Sequence, residues 1–233
     1  MISHKHKCIF IHIPKCAGTS IERVLRQLDG HSDRGHADHR TVRMIEPVAI
    51  LPIIRRNENQ RQVIRRVLYN YRNRAITDRQ NSVTKRQFLD YFKFTIVRNP
   101  WTRAISAYSN VLRGERHQRK LGISKDTTLT EFLTQFAGKR LLRSQMEWIT
   151  DFRGNVPMDF IGRFETLDED FKTITSILDC GPIELPGKSE SVKRERPYSI
   201  GPELDDLIGK IYRQEIEYFG YERPDSWDAG TRS

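Results

Sequence analysis

Two short stretches of this sequence place a cationic side chain beside small and hydroxyl-bearing residues, a combination suited to binding anions. The first reads PKCAGTS at residues 14–20 and contains Lys15. The second reads RNPWTRAIS at residues 98–106 and contains Arg98 and Ser106. A lysine ammonium binds phosphate as a point charge, and an arginine guanidinium binds it through a fork of N–H groups. Each stretch is therefore a candidate phosphate site.

The sequence around the first stretch predicts a strand that turns directly into a helix. Residues 8–13 are apolar and β-rich, and apolar residues recur after residue 20 at the spacing of one helical face. Thr19 and Glu22 have the spacing of a capping box, in which two side chains satisfy N–H groups of the first helical turn. Such a turn aims free N–H groups and the positive end of the helix dipole at one point. We therefore expect an anion, with phosphate as the natural occupant, at residues 14–20.

The second stretch has the same organisation. Residues 92–97 read FKFTIV and predict a second buried strand. Asn99 suits the N-cap of a following helix, and Pro100 suits its first turn. In a parallel sheet, the ends of adjacent strands meet at the crevice where ligands bind. We therefore expect Arg98 to meet a second phosphate of the same ligand, with the Ser106 hydroxyl donating to it.

Two strand-to-helix units that lie far apart in sequence predict an α/β fold with a central parallel sheet flanked by helices. Residues 160–165 read as a third strand. Because no internal repeat or clear linker is visible, we predict one domain over residues 1–224 and a disordered tail over residues 225–233. Residues 180–202 form a polar loop of a length that is usually functional or disordered.

Two further segments complete the predicted organisation. Residues 113–128 read as a charged loop, and residues 203–219 read as one closing helix with an apolar face. Residues 55–86 are rich in arginine, and their scattered apolar positions fit one stripe of an amphipathic helix with a basic outer face.

The composition favours a soluble globular protein with an anionic partner. Hydrophobic residues make up 37% of the chain, and the mean hydropathy is −0.64. The net charge of +10 suits nucleic acid, a nucleotide or a sulfated glycan equally well. Charge alone therefore leaves the class of partner open.

Cysteine usage and hydropathy bear on the compartment. The three cysteines are scattered and no CxxC pair occurs, so neither a disulfide framework nor a zinc site is indicated. The first predicted strand begins almost at once, and no apolar run approaches the roughly 20 residues that span a membrane. We expect a cytoplasmic protein without a signal peptide or membrane span. The oligomeric state cannot be read from the sequence.

A small-molecule or nucleotide kinase of P-loop type is one alternative function. The first stretch departs from the Walker A pattern G-x-x-x-x-G-K-[ST], because its lysine precedes the glycine and the loop is shorter. We also find no convincing acidic strand end that would hold Mg²⁺. These departures disfavour a metal-dependent kinase.

A basic nucleic-acid-binding module is the non-enzymatic alternative. Residues 55–86 would supply the basic surface, and binding would weaken steeply with salt. The sequence contains no recognisable nucleic-acid motif, so this alternative depends on charge alone.

The two phosphate stretches resemble those of a known family. PKCAGTS looks like the 5′-phosphosulfate loop of sulfotransferases that use 3′-phosphoadenosine 5′-phosphosulfate (PAPS), and Arg98 with Ser106 resembles their 3′-phosphate motif. The pattern is most similar to carbohydrate sulfotransferases of the heparan and chondroitin type and to their bacterial relatives. The resemblance extends to GHADHR at residues 35–40, to DFIGRFETLDEDF and to YRQEIEYFGYE, and so covers most of the chain.

This resemblance implies a P-loop-like domain and a specific reaction. The enzyme would transfer a sulfuryl group from PAPS to a hydroxyl of a carbohydrate or glycosylated acceptor, which the basic charge suggests is acidic. No metal, nucleic acid or membrane span is implied. Lys15 would stabilise the charge on the leaving 5′-phosphate. His36, in GHADHR, would be the general base, with His39 in reserve.

The resemblance also implies which residues bind the donor. Lys193 lies in the long C-terminal loop, which closes over the nucleotide in related enzymes. The predicted donor-binding set comprises Lys15, Cys16, Ala17, Gly18, Thr19, Ser20, Arg98, Ser106 and Lys193.

Overall fold

The structure is a computed structural model that describes residues 1–30, 37–47, 57–72, 82–186 and 201–224. These residues form two compact units. The first comprises Met1–Val97 and Gln145–Pro186, and the second comprises Arg98–Ser144 with the described part of Gly187–Ser233. The single domain over residues 1–224 stays a prediction. The tail at residues 225–233 lies outside the described residues.

A four-stranded sheet forms the centre of the first unit. Its strands are β1 (Ile2–Ser3), β2 (Cys8–Ile11), β3 (Phe92–Val97) and β4 (Phe160–Arg163). They lie in the order β1-β2-β3-β4, with β1 antiparallel to β2 and the other neighbours parallel. The predicted α/β fold with a central, largely parallel sheet is confirmed, and the short antiparallel β1 is an addition to it.

Strands β2 and β3 are largely buried, and their sequences are mostly apolar. Strands covered on both faces lack the alternation of half-exposed strands. The Phe10 and Phe94 rings stack across β2 and β3 with their centroids 5.0 Å apart. Thr95 is a buried polar residue of β3, and its hydroxyl donates to the Ile11 carbonyl over 2.8 Å. At Gly162 in β4, an added Cβ would lie 2.6 Å from the Ile96 Cδ1, so any larger residue would require the Ile96 side chain to shift.

Eleven α-helices and one 3₁₀ turn are found within the described residues. In the first unit these are α1 (Gly18–Leu28), α2 (Val42–Ile45), α3 (Asn57–Arg72) and α4 (Lys85–Asp90). In the second unit they are α5 (Pro100–Leu112), α6 (Glu115–Leu121), α7 (Leu129–Phe136) and the 3₁₀ turn Arg140–Leu142. The later helices are α8 (Gln145–Ile149) and α9 (Leu167–Ile177) in the first unit, and α10 (Pro202–Ile211) and α11 (Arg213–Phe219) in the second.

Helix α3 lies within the stretch predicted to be helical, but its polar side is buried and its apolar stripe is exposed. Asn59 and Gln62 are buried. The Asn59 amide donates to the Phe152 carbonyl and the Gln62 amide to the Glu147 carboxylate, each over 2.9 Å. The large apolar side chains on the exposed side are Ile64, Val67, Leu68 and Tyr71. Polar contacts therefore fix this helix, and the prediction that its apolar stripe faces inward is wrong.

The second unit is organised around α5, which packs against α6, α7 and α10. Its buried centre contains Arg103, whose guanidinium donates to the carbonyls of Leu141 and Arg143, each over 2.9 Å. The Glu215 carboxylate lies 3.7 Å from the same guanidinium. A buried charge is tolerated here because it has an opposite charge and carbonyl acceptors around it.

Two segments of the second unit differ from the sequence prediction. The predicted loop at residues 113–128 contains helix α6, whose C-cap is Gly122 in the left-handed region. The predicted single helix at residues 203–219 is two helices that break at Tyr212. The Tyr212 hydroxyl donates to the Leu142 carbonyl over 2.9 Å, which fixes the break inside the unit. No described helix has the length and apolarity needed to cross a bilayer.

Candidate active site

The loop between β2 and α1 has an unusual backbone. Lys15 and Ala17 have positive φ angles of 71° and 59°, in the left-handed region that residues other than glycine seldom adopt. Turns containing left-handed residues orient neighbouring N–H groups toward one point and form anion-binding concavities. Backbone strain of this kind is concentrated at functional sites. The loop therefore has the local geometry of an anion site.

Helix α1 begins at Gly18 with Ala17 as its N-cap. The Ala17 carbonyl accepts from the N–H groups of Ser20 and Ile21 over 3.1 and 3.4 Å. No side-chain hydrogen bond caps this helix within the described residues, so the predicted capping box of Thr19 is wrong. The N–H groups of Gly18 and Thr19, at the first two positions of the helix, have no intrahelical acceptor, and Thr19 is exposed.

Glu22 does not cap the helix because it turns inward to His12. The His12 Nδ1 lies 3.1 Å from the Glu22 Oε1, and both side chains are buried. The His12 ring in turn covers Gly18, where an added Cβ would lie 2.0 Å from the ring. Burial alone would raise the pKa of Glu22, but the hydrogen bond from His12 lowers it. No sequence pattern indicates this pair, because its partners meet only through the tertiary fold.

The Cys16 side chain points away from the loop surface. It is 1% exposed, and its Sγ lies 3.4 Å from the Gln145 Oε1 and 3.7 Å from the Pro14 carbonyl. Only the backbone of Cys16 is therefore suited to the predicted contact with the donor.

The GHADHR segment is described only in part. His36 lies outside the described residues, as does Lys193. The Asp38 N–H donates to both carboxylate oxygens of Glu22, over 2.9 and 3.2 Å. The Asp38 carboxylate accepts from the Arg40 guanidinium over 2.6 and 2.8 Å. This part of the segment is thus attached to helix α1.

His39 contacts the chain just before the loop. Its Nδ1 lies 3.4 Å from the His12 carbonyl, and the two imidazole rings are 4.3 Å apart. A carbonyl only accepts hydrogen bonds, so this contact favours the tautomer with the proton on Nδ1. The His39 side chain keeps an exposed surface. Burial of its surroundings and the nearby His12 nevertheless lower the pKa of His39 to about 4, so its ring is neutral at pH 7.

The second motif lies in the second unit, at the start of α5. Arg98 is buried, and its Nε donates to the Thr102 hydroxyl over 3.0 Å. The Asn99 side chain accepts from the Trp101 N–H over 3.1 Å, and Pro100 occupies the first turn, as predicted. The Trp101 indole donates to Asp205 over 2.6 Å, so Trp101 is a packing residue of this unit.

Thr102 is a residue that the sequence analysis missed. Its hydroxyl accepts from Arg98 and donates to the Asn99 carbonyl over 3.1 Å, and so fixes the guanidinium at the helix start. Ser106 is buried one turn further along the same face of α5. The regular spacing of Arg98, Thr102 and Ser106, four residues apart, is the signal that could have identified it.

Comparison with known proteins assigns this fold and these motifs to a family. A family model described as "Sulfotransferase family" matches residues 1–222. This chain belongs to the sulfotransferase family. The resemblance that the sequence showed is confirmed, and the chain is an enzyme with the P-loop-like fold of that family. This membership replaces the kinase and the nucleic-acid-binding alternatives.

Curated relatives of this sulfotransferase are distant. Carbohydrate sulfotransferase 11 of Mus musculus is 22% identical over 258 residues, which cover 96% of this chain and 67% of the relative. The Rattus norvegicus protein of the same name has the same values. Carbohydrate sulfotransferase 14 of Danio rerio is 23% identical over 192 residues, covering 73% of this chain and 45% of the relative. No solved structure matches the chain significantly.

The sulfotransferase shows no group of three or more His, Cys, Asp or Glu side chains placed to hold a metal ion among its described residues. His36 lies outside the described residues, so this finding does not extend to it. The expectation that no metal is required therefore stays a prediction, as do the roles of the individual site residues.

Proposed function

We propose that this sulfotransferase transfers the sulfuryl group of PAPS to a hydroxyl of a carbohydrate or glycosylated acceptor. The observation that carries the proposal is the loop at residues 14–20, directly before helix α1. Two of its residues, Lys15 and Ala17, are in the left-handed region. The family supports the reaction class, and the names of the curated relatives support a carbohydrate acceptor. The predicted cytoplasmic location remains part of the proposal.

Lys15 is proposed to stabilise the leaving group. The acceptor oxygen attacks sulfur, the bond from sulfur to the bridging oxygen breaks, and adenosine 3′,5′-bisphosphate leaves. Negative charge then grows on the 5′-phosphate. The Lys15 ammonium and the N–H groups at the start of α1 are proposed to stabilise that charge. Backbone groups of Cys16, Ala17 and Gly18 and the hydroxyls of Thr19 and Ser20 complete the proposed phosphosulfate loop.

Arg98 and Ser106 are proposed to bind the 3′-phosphate. The hydrogen bond to Thr102 holds the Nε of Arg98 and so limits the orientations of the guanidinium. A pre-oriented guanidinium loses less conformational entropy on binding a phosphate than a free side chain does. Lys193, in the C-terminal loop, is proposed to add a further contact to the nucleotide.

A histidine is proposed to accept the proton of the acceptor hydroxyl. His36 is the first candidate because of its place in GHADHR, and His39 is the second. A neutral His39 with its proton on Nδ1 has a lone pair on Nε2, so it is chemically able to accept a proton. Comparison of His36→Ala with His39→Ala decides between the two candidates.

The basic charge of the chain supports an acidic acceptor. The net charge of +10 attracts anionic glycans as well as the anionic donor. Raising the salt concentration should then increase the KM for a uronic-acid glycan more than the KM for a neutral glycan.

Binding of the product nucleotide tests the proposed function. Lys15→Ala and Arg98→Ala should each weaken the binding of adenosine 3′,5′-bisphosphate at least about tenfold, because each removes a charge-assisted contact. Isothermal titration calorimetry on the full chain measures this, with ADP and Mg²⁺ as the comparison ligand.

Exposed residues of the same type provide matched controls. Lys139 and Arg213 are exposed and make only local contacts, so Lys139→Ala and Arg213→Ala should bind the bisphosphate normally. Unchanged binding in both Lys15→Ala and Arg98→Ala would contradict the proposal, as would a preference of the unmodified protein for ADP with Mg²⁺.

A further inference from the structure

A buried network joins the phosphosulfate loop to the described part of GHADHR. We propose that Glu22 and His12 are positioning residues, which hold residues 37–40 against the start of the loop at residues 14–20. This inference depends on the proposed function, because the loop is taken to bind PAPS.

Glu22 is the centre of the network. Its carboxylate accepts from the His12 Nδ1 over 3.1 Å and from the Asp38 N–H over 2.9 and 3.2 Å. It also accepts from the Arg26 guanidinium over 3.3 Å. The Glu22 side chain is 4% exposed, so these partners replace water around the carboxylate. One side chain of α1 thus contacts both the end of the β2 segment and the segment after residue 36.

His12 makes the second connection. Its ring lies over Gly18, the first residue of α1, and its carbonyl lies 3.4 Å from the His39 Nδ1. Because a carboxylate only accepts hydrogen bonds, Glu22 places the His12 proton on Nδ1. His12 is fixed on both sides, three residues before Lys15.

The network explains why a helix in this position carries a glutamate that does not cap it. A buried carboxylate is costly unless several donors satisfy it. Here the donors come from an imidazole, a backbone N–H and a guanidinium that lie on separate segments. Losing the carboxylate would therefore release these segments from one another without removing any group that is proposed to touch PAPS.

Glu22→Gln tests the network with little change of shape. The amide keeps one acceptor oxygen, but its NH₂ group at the Oε2 position would face two donors, the Asp38 N–H and the Arg26 guanidinium, so the four contacts of the carboxylate cannot all persist. We expect hydrogen exchange at residues 37–41 to accelerate at least about tenfold, as measured by mass spectrometry. With PAPS and unsulfated chondroitin as substrates, kcat should fall at least about tenfold. The KM for PAPS and the affinity for adenosine 3′,5′-bisphosphate should change less than about threefold.

Two comparisons separate positioning from a general loss of stability. Glu215→Gln is the same substitution at another fully buried carboxylate, which accepts from Ser144 over 2.7 Å in the second unit. It should lower the melting temperature without accelerating exchange at residues 37–41. His12→Asn retains a donor near the Nδ1 position and should preserve more of kcat than His12→Ala.

The outcomes distinguish this inference from the proposed function. If the unmodified protein neither binds the bisphosphate nor transfers sulfate, the proposed function fails, and exchange alone tests the network. If the unmodified protein is active, and if Glu22→Gln and Glu215→Gln have the same hydrogen exchange at residues 37–41 and the same kcat, the positioning role of Glu22 is overturned.

Discussion

At Gly18, the buried His12 ring packs closely against the proposed phosphosulfate loop. The ring of His12 occupies the space that any side chain at this position would need. That ring is buried and hydrogen-bonded to Glu22, so it cannot move aside without breaking the hydrogen bond between the two side chains. The packing of the His12 ring against the loop therefore requires a glycine at this position.

Gly18→Ala should lower the free energy of unfolding by about 1–3 kcal/mol, because the new methyl group forces the His12 ring to shift. Chemical denaturation of the full chain measures the change. Gly209→Ala, inside helix α10, is the matched control, since no atom lies within 4 Å of the added Cβ. There alanine should stabilise the protein by roughly 0.5–1 kcal/mol. Equal effects of the two substitutions would refute the packing argument.

At the level of single residues, the sequence allowed some of the site to be predicted but not all of it. Lys15, Gly18 and Arg98 could be proposed as site residues because a phosphate loop is a local feature of a few consecutive residues, and their roles stay predictions. The pairing of His12 with Glu22 could not be identified. It brings together side chains ten positions apart from a strand end and a helix, and it depends on burial that no pattern displays.

Helix α5 positions the residues of the predicted second phosphate motif through its first two turns. Arg98 precedes the helix, and Thr102 and Ser106 follow at intervals of one turn, so the three side chains share one side of the helix start. The Asn99 cap and Pro100 determine where the helix begins, and that in turn determines where the guanidinium lies.

Thr102→Val should weaken the binding of adenosine 3′,5′-bisphosphate about threefold to tenfold, because Arg98 loses the acceptor that fixes its Nε. Thr102→Ser keeps the hydroxyl and should bind almost normally. Calorimetry on both variants provides the comparison. Equal affinities for Thr102→Val and the unmodified protein would show that Arg98 needs no support from this hydroxyl.

Elements differ in how well periodicity predicts them. Strands β2 and β3 were predicted closely because they are mostly apolar runs, which signal burial on both faces. The existence of helix α3 was predicted correctly, but the face that it buries was not. Periodicity distinguishes two faces of a helix without showing which face packs against the rest of the protein. Buried amide contacts from Asn59 and Gln62 decided that question.

The pH dependence of stability is a property of the whole molecule. We expect Glu46 to make a measurable contribution to it. Burial and the nearby Asp151 raise the pKa of Glu46 to about 7, although the Phe152 N–H donates to its carboxylate. The folded protein therefore binds this proton more tightly than the unfolded chain does. The resulting contribution to stability is full below about pH 4.5 and is lost as the pH rises through 7.

Glu46→Gln removes this titration while keeping an acceptor for the Phe152 N–H. The free energy of unfolding of the variant, relative to that of the unmodified protein, should rise by roughly 1–3 kcal/mol as the pH is raised from 5 to 8. Denaturation curves at several pH values measure the gain. Glu217→Gln, at an exposed carboxylate, controls for the general effect of removing a negative charge. A gain that is the same at pH 5 and at pH 8 would contradict the assignment to Glu46.

On the scale of the whole chain, the two phosphate motifs belong to different compact units. The Lys15 loop lies in the first unit, and Arg98 with Ser106 lies in the second. The family match covers both units, from residue 1 to residue 222. The sequence predicted one domain because no linker separates the units in composition. The second unit begins directly after β3, so the boundary has no compositional signature.

The burial of Cys16 has a practical consequence for experiments on this enzyme. The chain has three cysteines. Cys8 and Cys16 are each 1% exposed, whereas Cys180 is only partly buried. A maleimide fluorophore should therefore attach to Cys180 first, on the first unit and outside the loop that contains Lys15. Burial raises the pKa of this thiol, so the labelling reaction should be run in mildly alkaline buffer. The natural sequence thus offers an attachment point for following nucleotide binding by fluorescence without any engineered cysteine.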